Sequence, residues 1–347
     1  MKNGINVLSL FDGMSCAQIA LERAGVAVNK YYACEIDRYA IKVTQANYPN
    51  TIQLGSVTDL QWNDTLRPKI DLLVGGSPCQ GFSFAGKRAN FNDPRSKLFF
   101  EYVRLLKEIK PKYFLLENVK MNKKSENVIS DLLGVKPVEI NSNLVSAQNR
   151  KRLYWTNIPF NMPTDKGLVL QDIIENGFTD REKSHCIDAN YFKGGNLKSY
   201  FEKHRRQLVF SSDGLCHVGD ADLKGHDAIK RVYHPEGKAP TLTTMGGGHR
   251  EPKVLIVQRP RGNNKGGLKA INGKTPTLSS NSWEHNNLLV NTDNLTWRKL
   301  TPLECERLQT VPEGYTDHVS NSQRYKMLGN GFTIDIISNF FKGVEYV

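Results

Sequence analysis

Apolar residues along the first 160 positions follow two alternating patterns. The short continuous runs "INVLSLF", "YYACEID", "IDLLVGGS", "KYFLLENV" and "LYWTNI" read as buried strands. Between them, "SCAQIALERAG" spaces Ala17, Ala20, Leu21 and Ala24 at helical intervals and stops at Gly25. "SKLFFEYVRLLKEIKP" is an amphipathic helix ended by Pro111. Strand and helix in alternation predict an α/β fold with a doubly wound, mostly parallel sheet covered by helices on both faces.

From about residue 161 the pattern changes to Gly, Asn and Lys with short β-like runs. "EGKAPTLTTMGGGHREPKVLIV" at 236–257 is echoed by "NGKTPTLSSNSWEHNNLLV" at 272–290, and "SHCIDANYFKGGN" at 184–196 is a weaker third copy. A repeated Gly-Lys-x-Pro-Thr-Leu reads as a turn feeding a strand, which predicts a smaller β-rich domain. The expected division is a first domain from 1–160 and 320–347, with a second over 161–319. Helical patterning returns in "RKLTPLECERLQTVPEGY", where Thr301 and Glu304 have capping-box spacing. The tail "YKMLGNGFTIDIISNFF" is expected to turn at Gly329 to Gly331 and enter a helix packed back on the first sheet.

Composition narrows the function. Six scattered cysteines without a CxxC pair suggest neither a disulfide framework nor a zinc site, so a reducing cytoplasm and no metal are expected. No apolar run approaches the roughly 20 residues of a membrane helix. The 347-residue chain carries a net charge of +12, which favours an anionic partner such as a nucleic acid; a merely basic surface gives the same count.

Open parallel sheets bind ligands at the C-terminal ends of their strands. Gly13 follows the first strand, and Glu35 ends the second, 22 positions later. That is near the roughly 20-residue spacing at which an acid meets a ribose hydroxyl. "FDGMSCAQ" lacks the G-x-G-x-x-G glycines that cradle a pyrophosphate, which favours an adenosyl cofactor without phosphates. Cys79, in "GGSPCQGFS", is the candidate nucleophile. All eight histidines lie between His185 and His318, so the usual base of a hydrolytic cysteine is absent from the α/β half. Glu117, at the end of "YFLLENV", is available instead. A thiolate and a carboxylic acid facing one pocket suit a substrate attacked at one atom and protonated at another. Cytosine, attacked at C6 and assisted at N3, fits. In "SAQNRKRLYW", Gln148, Arg150 and Arg152 share one face if the segment is a strand. A solvated basic patch is the plainer reading of "RKR" alone.

These pieces, in this order, resemble the DNA (cytosine-5) methyltransferases of bacterial and phage type. The likeness runs from residue 5 to about 160 and from about 297 to 340, and is carried by "GGSPCQGFS", "AGKRANFNDPRSKLFF", "ENVK", "QNRKR" and "GNGF". It implies the class I S-adenosylmethionine-dependent methyltransferase fold, with residues 161–319 as a target-recognition domain whose variable part is 161–296. It further implies that Cys79 adds to C6 of a flipped cytosine, Glu117 contacts N3 and Arg150 binds the base carbonyl, with Gln148 and Arg152 in the same motif. The methyl group would pass from S-adenosyl-L-methionine to C5. Phe11, Asp12, Gly13, Glu35, Ile36, Ser56, Val57, Pro78, Leu98 and Asn330 are implied in cofactor binding. The implied partner is double-stranded DNA, in a bacterial or phage-infected cytoplasm, with a chain acting as a monomer. A cognate restriction endonuclease is left open as a companion, and no membrane is expected.

The chain departs from the family's usual pattern at three points. Phe-x-Gly-x-Gly becomes Phe11-Asp12-Gly13-Met14-Ser15, an opening somewhat like that of animal de novo methyltransferases. Gly-Asp becomes Gly55-Ser56, with Asp59 nearby, and Gly-Asn-Ser becomes Gly329-Asn330-Gly331. Alternative expectations are a tRNA cytosine-5 methyltransferase and an inactive DNA-binding homologue. The Arg and Lys residues of "KHRRQ" (203–207) and "RPRGNNKGG" (259–267) are candidates for phosphate and guanine contacts, and the loop Gly81 to Lys97 for closing over a flipped base.

Overall fold

A computed structural model describes residues 4–62, 68–77, 94–195, 200, 203, 205–211, 217–220, 231–233, 256–258, 267–269, 287–289 and 296–345. The chain divides into two compact units, Met1–Val169 with Cys186–Phe192 and Thr301–Val347, and Leu170–His185 with Lys193–Leu300.

The first unit is built on a sheet whose strands are near-continuous apolar runs. They are β1 (Ile5–Leu10), β2 (Val28–Cys34), β3 (Ile52–Gln53), β4 (Leu72–Gly75), β5 (Tyr113–Val119), β6 (Val138–Asn141) and β8 (Lys151–Thr156). A two-residue strand, β7 (Gln148–Asn149), precedes β8 and lies outside this sheet. The order is β3-β2-β1-β4-β5-β8-β6, with β8 running antiparallel to both its neighbours and the β3 to β5 pairings parallel. Every residue of β4 is buried, as are the first six of β5, because a parallel sheet is covered on both faces.

Its helices are α1 (Cys16–Arg23), α2 (Arg38–Asn47), α3 (Pro94–Ile109), α4 (Lys123–Leu133), α5 (Pro302–Leu308), α6 (Asn321–Asn330) and α7 (Ile334–Phe341). Phe99 and Tyr102 of α3 and Ile129 and Leu133 of α4 pack with Leu8, Leu10, Leu116 and Trp155 in one core cluster. Tyr154, next to Trp155 and so on the opposite face, meets Phe340 of α7 at 5.2 Å between ring centres. Helices therefore cover both faces of the sheet. Each fully buried leucine contributes roughly 1.5–3 kcal/mol relative to exposure. The expected capping box is present: the Glu304 amide donates to Thr301 Oγ1 at 3.1 Å, and Glu304 Oε2 accepts from the Thr301 amide at 2.8 Å.

The tail differs from the expected open turn. Gly329 and Asn330 are the last residues of α6, and only Gly331 leads out of it. The reason is close packing: a Cβ on Gly329 would lie 2.2 Å from the Asp188 carbonyl carbon, so a glycine is needed within the helix itself.

The described strands of the second unit are short and antiparallel. Leu208–Ser211 pairs with Thr296–Lys299, and His217–Asp220 pairs with Arg231–Tyr233. Ile256–Gln258 pairs with Gly267–Lys269 and with Asn287–Leu289. The two clearest sequence repeats thus end in strands that pair with each other, Ile256 opposite Leu289; their Pro-Thr-Leu turns lie outside the described residues.

Candidate active site

Between β2 and β4 the sheet changes direction of growth, since β1 is flanked by both. The C-terminal ends of strands at such a switch point leave a crevice, because the connections leave in opposite directions. A cavity of about 470 Å³ lies there, within the first unit. It is lined by Phe11, Asp12, Gly13, Glu35, Ile36, Ser56, Val57, Leu98, Glu117, Arg150, Arg152 and Asn330 of the residues expected from sequence. Pro78 and Cys79 lie outside the described residues, as does 81–93 of the loop. Gly76 and Ser77, the two residues leading to them, line the cavity.

At one end is the turn after β1. Phe11, Gly13 and Ser15 all have left-handed backbones, with φ of 56°, 59° and 59°. Asp12 is almost wholly buried and accepts hydrogen bonds from the Tyr31 hydroxyl, at 2.7 Å, and from the Ser15 hydroxyl. Burial pushes its carboxyl up to about 6, outweighing the hydroxyls of Ser15, Ser9 and Tyr31 that favour the charged form. Glu35 clamps the turn from β2: one oxygen accepts the Gly13 amide at 2.8 Å, and the other accepts the Ile36 and Asp37 amides at 2.7 and 2.8 Å. Ile36, an apolar side chain 77% exposed, stands at the rim. Ser56 lines the cavity and Asp59 does not. Asp37 and Lys326, both lining residues, are joined at 2.7 Å. Burial alone would raise the Asp37 carboxyl, but the Lys326 ammonium holds it below the usual range.

At the other end, Glu117 is 9% exposed at the tip of β5 and pairs with Arg152 Nε at 3.0 Å. Burial opposes the Arg152 charge, yet the carboxylate beside it raises the guanidinium above its ordinary value. Gly76 must lack a side chain here: a Cβ would meet the Phe332 ring at 2.9 Å and Glu117 Oε2 at 3.4 Å. Asn118 donates to the Ser77 carbonyl at 3.4 Å and to its hydroxyl at 3.3 Å, tying the β5 tip to the segment that leads to Cys79.

Arg150 is placed differently from Arg152. Its guanidinium donates to the carbonyls of Ile187, Gly329 and Gly331 at 2.9 to 3.3 Å, so it braces the end of α6. Gln148 lies outside the cavity lining and is fully buried, donating to Leu308 O at 2.8 Å and Gln309 Oε1 at 2.7 Å. Arg150 and Arg152 thus both line the cavity as expected, but Gln148 does not share their face, because Arg150 lies between β7 and β8 and period-two alternation does not run unbroken through the segment.

The C-5 cytosine-specific DNA methylase family matches residues 5–345. This chain belongs to that family. It is 30% identical to the orphan methyltransferase M.Rho11sI of Bacillus phage rho11s, with 97% of each chain covered. It is 27% identical to the type II methyltransferase M.HhaI of Haemophilus parahaemolyticus, covering 96% of this chain and 92% of that one. The solved structure of Entamoeba histolytica methyltransferase EhMeth superposes with a TM-score of 0.61 at 14% identity, covering 99% and 98% of the two chains. The sheet order and this likeness make the first unit the class I methyltransferase fold.

For a C-5 cytosine methylase, the unusual residues have local explanations. Ser15 takes the left-handed backbone that a glycine would take freely. A side chain at Gly331 would press on Cys16 Sγ at 3.1 Å and Met14 Cε at 3.3 Å, both from the turn region after β1, so a glycine there suits this turn. Burial pushes the Cys16 thiol up to about 12, making it a packing residue. Sequence reading missed Asn118, Gln323, Lys326 and Phe332 at the cavity. "ENVK" and "GNGF" flank or contain two of them, but Gln323 and Lys326 carry no motif signal.

Proposed function

We propose that this chain is a DNA (cytosine-5) methyltransferase that takes its methyl group from S-adenosyl-L-methionine. The observation that carries the proposal is the Glu117–Arg152 pair at 3.0 Å, set in the same cavity as the turn after β1. The lining fits the cofactor: the volume is that of a small-molecule site, an exposed apolar side chain stands at the rim, and Glu35 lies beside it. Phe11, Asp12, Gly13, Glu35, Ile36, Ser56, Val57, Leu98 and Asn330 would hold it, with Pro78. When bound, the cofactor supplies an electrophilic methyl group.

The base must leave the duplex stack for a thiol to reach C6. In this reading Cys79 adds as thiolate to C6, and a proton shared between Glu117 and N3 accepts the displaced electron density, leaving C5 nucleophilic. After C5 is methylated, water takes its proton, the freed electron pair forms the C5–C6 double bond and expels the Cys79 thiolate, and N3 returns its proton to Glu117. Arg152, rather than the Arg150 expected from sequence, would donate to the base carbonyl oxygen, because the Arg150 guanidinium is committed to three backbone carbonyls. Arg150 then acts by positioning α6 and the Asn330 turn. The second unit, Leu170–His185 with Lys193–Leu300, would read the DNA, and the first unit, which includes Thr301–Val347 where the sequence suggested a boundary at 319, would carry catalysis. In "KHRRQ", Lys203 and Arg205 are exposed, whereas Arg206 bonds the Gly194 carbonyl at 2.7 Å and Gln207 is buried. Among the described residues no helix is long and apolar enough to cross a membrane. Several relatives are named as methyltransferases of Bacillus phages, which supports a bacterial or phage setting.

Transfer of labelled methyl from S-adenosylmethionine to duplex DNA, against tRNA and against Cys79→Ser, tests the reading. Incorporation into duplex DNA only, lost in the variant, is expected. Preferential labelling of tRNA would move the activity to RNA, and DNA binding without transfer would make the chain an inactive homologue.

A further inference from the structure

We infer that Ser15 and Asp12 act as one positioning pair, in which the side-chain hydrogen bond holds Ser15 in a glycine-like backbone and so shapes the cofactor-binding turn. Ser15 precedes α1 at the N-cap position, where serine normally has an extended backbone and accepts a helix amide. Here it does neither: φ is 59° and ψ is 42°, and its side chain makes no capping bond. Its hydroxyl instead donates to Asp12 Oδ2 and accepts from Thr44 Oγ1 at 3.1 Å, with both Ser15 and Thr44 fully buried. The Ser15 amide closes the same turn on the Asp12 carbonyl at 3.1 Å. A left-handed backbone is disfavoured for a residue with a Cβ, so something must hold it, and the buried carboxylate is the strongest acceptor in reach. Asp12 is itself aligned by the Tyr31 hydroxyl at 2.7 Å and by its own amide bond to Cys34 O at 3.1 Å.

The pair is readable through pH because Asp12 titrates near 6. The other ionisable groups around it are Glu35 and Tyr31 on the β2 side, Cys16 on α1 and Tyr315, whose hydroxyl donates to Met14 O at 2.7 Å. Burial puts Cys16 at about 12 and raises Tyr31 and Tyr315 above the ordinary tyrosine value, so none of these three titrates in that range. Protonated Asp12 becomes a donor facing two hydroxyl donors, which weakens its hold on Ser15.

The inference rests on the cofactor reading above, so its test has one arm with ligand and one without. Calorimetric titration of S-adenosylhomocysteine at pH 7.5 is expected to show binding about 10-fold weaker in Ser15→Ala, with most of the loss recovered in Ser15→Gly. Wild-type affinity is expected to fall below about pH 6, and Ser15→Gly to lose that dependence. In the free proteins, Ser15→Ala is expected to melt below Ser15→Gly, since alanine has the Cβ without the hydroxyl that holds it. Equal affinity and melting of Ser15→Ala and wild type would overturn the pair. So would Ser15→Gly as impaired as Ser15→Ala, or an unchanged pH profile in Ser15→Gly. If the wild type bound no S-adenosylhomocysteine, the cofactor reading would fail, and the melting order of the free proteins would still decide the pair.

Discussion

Two carboxyl groups face the same cavity with nearly equal burial, Asp12 at 8% exposure and Glu117 at 9%, yet they have opposite surroundings. Asp12 takes its side-chain hydrogen bonds from hydroxyls, and burial carries it up to about 6. Glu117 is met by a guanidinium at 3.0 Å. The contrast separates two kinds of work. A carboxyl held by neutral donors at a turn shapes backbone, whereas a carboxyl paired to a partly buried guanidinium presents a directional pair to whatever enters beside it. The two arginines show the same division, Arg150 spent on carbonyls of the fold and Arg152 held at the cavity.

The largest effects should break the Glu117 end. Glu117→Gln is expected to lower the methyl-transfer rate by about 10²–10⁴-fold while leaving S-adenosylhomocysteine affinity in place. Arg152→Ala is expected to cost about 10²–10³-fold in single-turnover rate. A comparable loss of cofactor affinity in either variant would merge the two ends that the structure separates.

The Asp12 end is sharpened by pH. A carboxyl raised in the folded protein from 3.8 to about 6 is harder to ionise folded than unfolded, so its contribution favours the fold below about pH 4 and is lost as pH rises through 6. That amounts to about 3 kcal/mol across the window. The stability difference between Asp12→Asn and wild type should therefore move in the variant's favour as pH rises from about 4 to about 6 in urea unfolding. A stability difference that stays constant over that range would place the titration elsewhere.

Arg150→Ala should act first on the fold, at about 1–3 kcal/mol for each carbonyl left without a donor, and on rate only through α6. Urea midpoints read beside rates distinguish it from Arg152→Ala, which should change rate more than stability. The smallest effect belongs to Lys326→Ala at the rim. Its half-exposed pair with Asp37 is expected to be worth under about 1 kcal/mol, measured as the shift in melting temperature.

The sheet was legible because β1, β4 and β5 are unbroken apolar runs, a pattern that burial on both faces requires. Helices α2 and α6 were not. α2 buries only Ala40, Val43 and Thr44, and α6 contains Gly329, whose place in a helix depends on the Asp188 backbone 141 positions earlier. The site follows the same rule. Strand tips bring Gly13, Glu35 and Glu117 together from topology alone, so those residues could be named in advance. Which arginine pairs with Glu117 and which braces α6 could not, since the second role depends on carbonyls 179 and 181 positions away. Ser15 is a further case: its motif position was visible, but its left-handed backbone and its bond to Asp12 exist only in the folded turn.

Bisulfite sequencing of duplex DNA incubated with the protein and S-adenosylmethionine tests the central claim most directly, because 5-methylcytosine resists the deamination that converts cytosine. Protected cytosines at one recurring sequence with the wild type, and none with Cys79→Ser, are the expected result. Full conversion of every cytosine by the wild-type reaction, or the same protected positions with Cys79→Ser, would contradict it.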